Sequence, residues 1–165
     1  MRLPRDTTLV VMSEQLAIDP VPQDAVEERV AAVLTAWRAA GLPIIHSQGK
    51  RAETNRANDV RMRPLSNERI VAKSNDDAFL DSDLEKVLTE DGVTTLVLCG
   101  RHVEMAGQAT VRHACRLGFR TFVIADASSG NEAMAVRIDQ IDESGNRAVS
   151  VDATTAIAAA RLAAR

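Results

Sequence analysis

Thr94–Leu117 reads TTLVLCGRHVEMAGQATVRHACRL, and this stretch decides the fold. TTLVLC (Thr94–Cys99) is an unbroken apolar run of strand length, as expected for a strand covered on both faces rather than one. Gly100 interrupts it. Glu104–Leu117 then carries Val111, Ala114 and Cys115 on one side at helical spacing, and Gly118 supplies the stop. A buried strand, a turn and an amphipathic helix are one half of a parallel β-α-β unit. The first turn of such a helix is where an α/β enzyme commonly keeps a nucleophile. Here it offers Glu104, Met105 and Ala106, and none of these is an ordinary nucleophile for acyl transfer.

The same unit recurs in both directions. Thr8–Met12 (TLVVM) is a strand, followed by a loop punctuated by Pro20 and Pro22 and a helix over Gln23–Ala40. That helix has an apolar stripe of Val26, Val30, Val33, Leu34 and Trp37, acidic Asp24, Glu27 and Glu28 near its start, and Gly41 at its end. Leu42–His46 is a second strand, and Arg69–Ala72 a short third one after a polar, irregular excursion over Ser47–Glu68. Ser82–Glu90 is predicted helical, closed near Gly92. Downstream, Arg120–Ala125 is a fifth strand, Glu132–Ile141 a helix, Ala148–Val151 a sixth strand and Ala153–Ala164 a closing helix. The alternation predicts a three-layer α/β/α sandwich with a parallel six-stranded sheet, in one domain over residues 1–165. Ligands of such sheets sit beyond the carboxyl ends of the strands. That rule gathers Ser13, His46, Lys73 and Arg101–Ala106 around one mouth.

Composition narrows the function classes. A net charge of -3 gives no basic face for nucleic acid, and 2% aromatic residues (Trp37, Phe79, Phe119 and Phe122) leave no stacking platform. Cys99 and Cys115 both fall inside apolar elements, so neither a disulfide framework nor a metal-ligand spacing is indicated. There is no apolar run of membrane-spanning length, and the N-terminus enters a strand without a signal-peptide pattern. The expectation is a cytoplasmic protein with reduced thiols, without a cofactor.

The residues from 69 to 128 resemble the isochorismatase-like hydrolases, the cysteine hydrolase superfamily that includes nicotinamidase and N-carbamoylsarcosine amidohydrolase. Lys73, Phe79, Leu84, Leu88, Gly92, Gly100, Ala114, Gly118, Phe119, Asp126 and Ala127 fit that pattern in order and spacing. Val10–Gln15 (VVMSEQ) lies over the family's first strand, whose motif is an aspartate, an apolar residue and a glutamine. The resemblance implies a triad of aspartate, lysine and cysteine. Position by position, the aspartate falls on Ser13, the lysine on Lys73 and the cysteine on Ala106, so only the lysine is kept. In the family the thiolate attacks while the aspartate moves its proton, and the lysine and helix N-terminal N–H groups stabilise negative charge. A methyl group cannot attack, and a serine hydroxyl is no base near neutral pH. Cys115, about 180° around the helix from Ala106, faces away from that position.

Several readings stay open at this point. A buried Lys73 would need a new carboxylate such as Glu14 or Glu104, an anionic ligand, or a pocket open to water; an exposed Lys73 would need none of these. Arg101, His102 and Met105 occupy the turn and the first helical residues. They either make a small carboxylate or phosphate site or simply fill the vacated pocket. The resemblance places a non-prolyl cis peptide between Arg101 and His102 and implies a homo-oligomer. His46 could be a metal ligand, but the further ligands that nicotinamidases use have no match in Ser47–Arg69, so no metal is expected. His113 reads as a surface or packing histidine, and Arg51, Arg56, Arg61 and Arg63 as a solvated face able to steer an acidic substrate. Two functions follow. One is a non-catalytic relative that binds a small anion or serves in assembly. The other is a divergent hydrolase of a small metabolite using Lys73 with Glu14, Glu104 or His102.

Overall fold

In a computed structural model of the chain, residues 1–13, 24–49, 60–100, 108–128 and 148–164 are described. The apolar runs form strands β1 (Thr7–Ser13), β2 (Ile44–Gly49), β3 (Arg69–Lys73), β4 (Thr95–Gly100), β5 (Arg120–Ser128) and β6 (Val149–Val151). The periodic segments form helices α1 (Asp24–Ala40), α2 (Leu84–Glu90), α3 (Gln108–Arg116) and α4 (Ala153–Ala163), with one turn of 3₁₀ helix at Val60–Met62. The strands are all parallel, in the order β3-β2-β1-β4-β5-β6. The expected three-layer parallel sandwich is therefore what the chain forms.

The two faces of the sheet bury different sets of side chains. Leu9 and Val11 of β1, Val97 and Cys99 of β4, and Phe122 and Ile124 of β5 pack beneath α1 and α4. Val10, Met12, Leu96, Leu98 and Val123 point the other way, beneath α2 and α3. This is the period-two alternation of a strand, with both faces covered. Trp37 is fully buried in the first cluster, and α4 meets α1 through its small Ala153, Ala156, Ala159 and Ala160.

The helix-to-strand turns share one design. Gly41, at φ +65°, lets the Gly41 N–H reach the Arg38 carbonyl and the Leu42 N–H reach the Trp37 carbonyl, both at 3.1 Å. This paired closure needs a left-handed residue, which glycine adopts without a Cβ clash. The same bond pattern ends α2 at Gly92 and α3 at Gly118.

Some boundaries differ from the sequence reading. β2 runs on to Gly49, so Ser47 belongs to the sheet and not to the excursion. β5 continues through Asp126 to Ser128, with a register shift between Leu98 and Gly100 that lets Gly100 pair with Ser128. Strand propensity alone does not foresee a polar terminus held by neighbouring ladders. The predicted helix Glu132–Ile141 and the first residues of the Glu104–Leu117 helix lie outside the described residues.

Candidate functional site at the carboxyl end of the sheet

The chain winds outward from β1 to β3 and then returns to build β4, β5 and β6 on the other side of β1. The switch point is thus the gap between the carboxyl ends of β1 and β4, where α/β sheets place their ligands. Ser13 ends β1 there, half-buried, and Gly100 ends β4. Gly100 has φ +120°, and a Cβ built on it would run into the Met12 carbonyl. Glycine is required at this point so that the backbones of β1 and β4 can close together just before the turn.

Lys73 ends β3 and is 3% exposed, which excludes the reading of an ordinary surface lysine. It follows Val71 onto the face beneath α2 and α3 and pairs in register with Gly49 of β2. Ser47, two residues before Gly49 on the same face, is fully buried, and its hydroxyl has no hydrogen-bond partner among the described residues. Met12 lies beside Ser47 on β1.

The segment after Lys73 is fastened to α3. The Ala78 N–H donates to the Thr110 hydroxyl at 2.9 Å, and the Phe79 N–H donates to Asp77 Oδ1 at 2.9 Å. Asp77 Oδ2 meets His113 Nδ1 at 2.8 Å, and the His113 ring lies 5.1 Å from that of Phe79. His113 is therefore a bonded strut between this segment and α3. Thr110 belongs to the first turn of α3, so the clamp ties the segment after Lys73 to that helix.

His46 departs from its expected place. β2 continues three residues past it, and it is 3% exposed on the α1 face, not at the mouth. Its Nε2 lies 2.7 Å from Glu68 Oε2. Glu68 also receives Arg38 Nε on Oε1 at 2.6 Å, Arg38 Nη2 on Oε2 at 3.0 Å, and the Leu65 N–H at 3.0 Å. Burial opposes ionisation of Glu68, but bonds from Arg38, Leu65 and His46 outweigh it and hold the carboxyl down to about 2. Burial lowers the His46 pKa against the opposing pull of Glu68. Arg38 further donates to the carbonyls of Arg61 and Arg63, and Arg61 makes a two-pronged pair with Glu28. Arg61, then, ties the excursion to α1 instead of forming a steering face. Glu68 was not foreseen. The available signal was a histidine at the end of an apolar strand run, which implies a buried partner.

Both cysteines are buried. Cys99 lies on the opposite face of the sheet, beneath α1 and α4, fully buried, and burial pushes its thiol up to about 12. Cys115 packs in the last turn of α3, roughly 10 Å along the axis from Gln108 and so toward the amino end of the sheet. Asp126 has a structural role: its Oδ1 accepts the Ala153 N–H at 2.7 Å at the start of α4, and Arg29 of α1 pairs with it at 3.4 Å. Among the described residues no group of three or more His, Cys, Asp or Glu could hold a metal ion, and no helix is long and apolar enough to cross a membrane. Glu14, Arg101, His102, Glu104, Met105 and Ala106, the Arg101–His102 peptide, Arg51 and Arg56 lie outside the described residues.

The family model for the isochorismatase domain matches residues 11–153, most of the chain. The chain belongs to the isochorismatase family. A streptothricin hydrolase of Streptomyces noursei is 34% identical over 134 residues, covering 72% of this chain and 48% of that protein. The isochorismatase family protein YddQ of Bacillus subtilis is 33% identical over 110 residues, covering 61% of each chain. The matches thus span about half to three fifths of these relatives' own length. Among solved structures, an isochorismatase-family protein from Chromobacterium violaceum superposes with a TM-score of 0.79 at 27% identity, covering 97% of this chain and 96% of that one. N-carbamoylsarcosine amidase from Thermoplasma acidophilum shares the fold with a TM-score of 0.70 at 17% identity, covering 93% and 97%.

Proposed function

We propose that this isochorismatase-family chain has given up cysteine-dependent hydrolysis and uses the carboxyl end of its sheet to bind a small anion, a carboxylate above all, at Lys73. One observation carries the reading. Cys99 is sealed on the far face of the sheet from Lys73 with its thiol pushed up to about 12, and it is the nearest cysteine in sequence to Ala106, on which the family pattern would put the nucleophile. A thiol so buried is neither ionised nor reachable, and thiolate chemistry needs both. Ser13 at the aspartate position removes the proton carrier as well. Lys73 is buried at the carboxyl end of β3, and an ammonium carries three donors, so it can offer one to an anion beside its other contacts. On the family pattern, Arg101, His102 and Met105 are the further residues proposed to hold the anion, the first two through their charged and polar groups.

The second reading, a divergent hydrolase acting through Lys73 with Glu14, Glu104 or His102, is favoured by the likeness to streptothricin hydrolase. A panel of small amides, nitriles and vinyl ethers separates the two. Saturable binding of a carboxylate with no turnover of the panel is the expected result. Turnover that Lys73→Ala abolishes would overturn the binding reading and establish the hydrolase.

A further inference from the structure

Three features of the sheet converge beside Lys73, and two of them, Ser47 and Gly49, have no role so far. Ser47 is fully buried yet its hydroxyl has no partner among the described residues. A buried hydroxyl without a bond is costly, so its persistence asks for a ligand or water to complete it. Gly49 follows it on the same face, and a Cβ added there would meet nothing within 4 Å among the described residues. The space over Gly49 is empty of described atoms although the strand φ there accepts any L residue. Lys73, buried, stands directly across from Gly49 in the β2–β3 register, while Val71 stands across from Ser47. The hydroxyl, the open space and the ammonium therefore share one face of two adjacent strands, with Met12 of β1 on the other side of Ser47.

Resting on the anion-binding reading above, we infer that Ser47 is a second anchor for the ligand, which is a carboxylate bearing an apolar substituent. One carboxylate oxygen pairs with the Lys73 ammonium, the other accepts from the Ser47 hydroxyl, and the substituent lies over Gly49. The hydroxyl supplies direction that a flexible ammonium lacks, since Lys is a point charge with rotatable donors. Glycine at position 49 keeps the floor flat, and the neighbouring wall of Met12 is apolar.

Benzoate and acetate are the probes, titrated into the full chain and its variants, with backbone amide shifts and melting temperature as readouts. Wild-type protein binds benzoate more tightly than acetate. Ser47→Ala weakens benzoate by about tenfold or more, the scale of one hydrogen bond to a charged group, while the ligand-free variant melts at or above wild type because an unmet hydroxyl is gone. Gly49→Val, which suits a strand, fills the space and abolishes benzoate binding; Gly49→Ala gives an intermediate loss in case the larger side chain disturbs the edge. Lys73→Met abolishes both ligands. Benzoate affinity unchanged in Ser47→Ala, but lost in Lys73→Met, would overturn the role of Ser47 and leave the Lys73 site standing. A ligand-free Ser47→Ala that melts clearly below wild type would show the hydroxyl already bonded within the protein, and would likewise overturn it. Acetate binding more tightly than benzoate would refute the space over Gly49. Wild-type protein that binds neither probe would sink both readings together.

Discussion

Replacing Glu68 with glutamine isolates the charge at the centre of the network that ties the excursion to α1 and β2. The substituted amide retains one oxygen acceptor for Arg38 or the Leu65 N–H, so the variant loses mainly the negative charge that Arg38 grips at 2.6 and 3.0 Å. The folded carboxyl titrates at about 2, against an ordinary 4.5. At about 1.4 kcal/mol per pKa unit, that gap is worth on the order of 3 kcal/mol at neutral pH. The sign follows from proton uptake. Between the two values the unfolded chain holds a proton on this carboxyl and the folded chain does not, so the stabilisation is complete above 4.5 and is lost as pH falls toward 2. Urea unfolding of both proteins at pH 7, 5, 4 and 3 measures it. Glu68→Gln is expected to be less stable by about 3 kcal/mol at pH 7, with the gap narrowing to about 1 kcal/mol near pH 3. His46, whose pKa is lowered by burial, adds a separate loss below its ordinary 6.5, because only the unfolded chain takes up that proton. Equal stabilities at pH 7, or a gap that stays constant down to pH 3, would refute the account of Glu68.

Gly100→Ala forces a Cβ into the Met12 carbonyl at φ +120° and is expected to cost about 2 kcal/mol or more; a melting curve matching wild type would contradict the close approach of β1 and β4. Asp77→Ala removes the bonds to His113 and to the Phe79 N–H, with an expected loss of about 1–2 kcal/mol and faster amide exchange at Phe79. Unchanged exchange there would remove the clamp from the description. Cys99 is expected to resist a disulfide reagent at pH 8 in the folded protein and to react only once denaturant opens the core, whereas prompt labelling would place its sulfur elsewhere.

The fold was legible because its signal is repeated and local. Strands β1, β4 and β5 are apolar runs too short for helices, and each described helix carries its own apolar stripe and most carry a terminal glycine. Lys73 was legible only through its likeness to a family pattern, for a lysine after a short strand carries no mark of burial. The Glu68–His46–Arg38 network escaped notice because its members stand well apart in sequence and meet only when α1 crosses β2. Ser47 and Gly49 looked like loop because serine, glutamine and glycine are poor strand formers; pairing with β1 and β3 on either side overrides that preference. The sheet's period of two then separates what adjacent residues do. His46 and Ser47 are neighbours in the chain, yet one stiffens the α1 side and the other looks onto the Lys73 side.

Asp126 shows why likeness and chemistry can part company. It belongs to the family's Asp-Ala pattern, yet here it joins the end of β5 to the first turn of α4 and to Arg29 of α1. Joinery of this kind serves the fold itself, so it is kept whatever the far rim of the molecule does. Much of what makes this chain recognisable is of that sort, and resemblance scores reward carpentry as fully as reactive groups. Within this family, a sorting of hydrolases from binders would do better to weigh the three triad positions and the orientation of every nearby sulfur than the length or strength of the match.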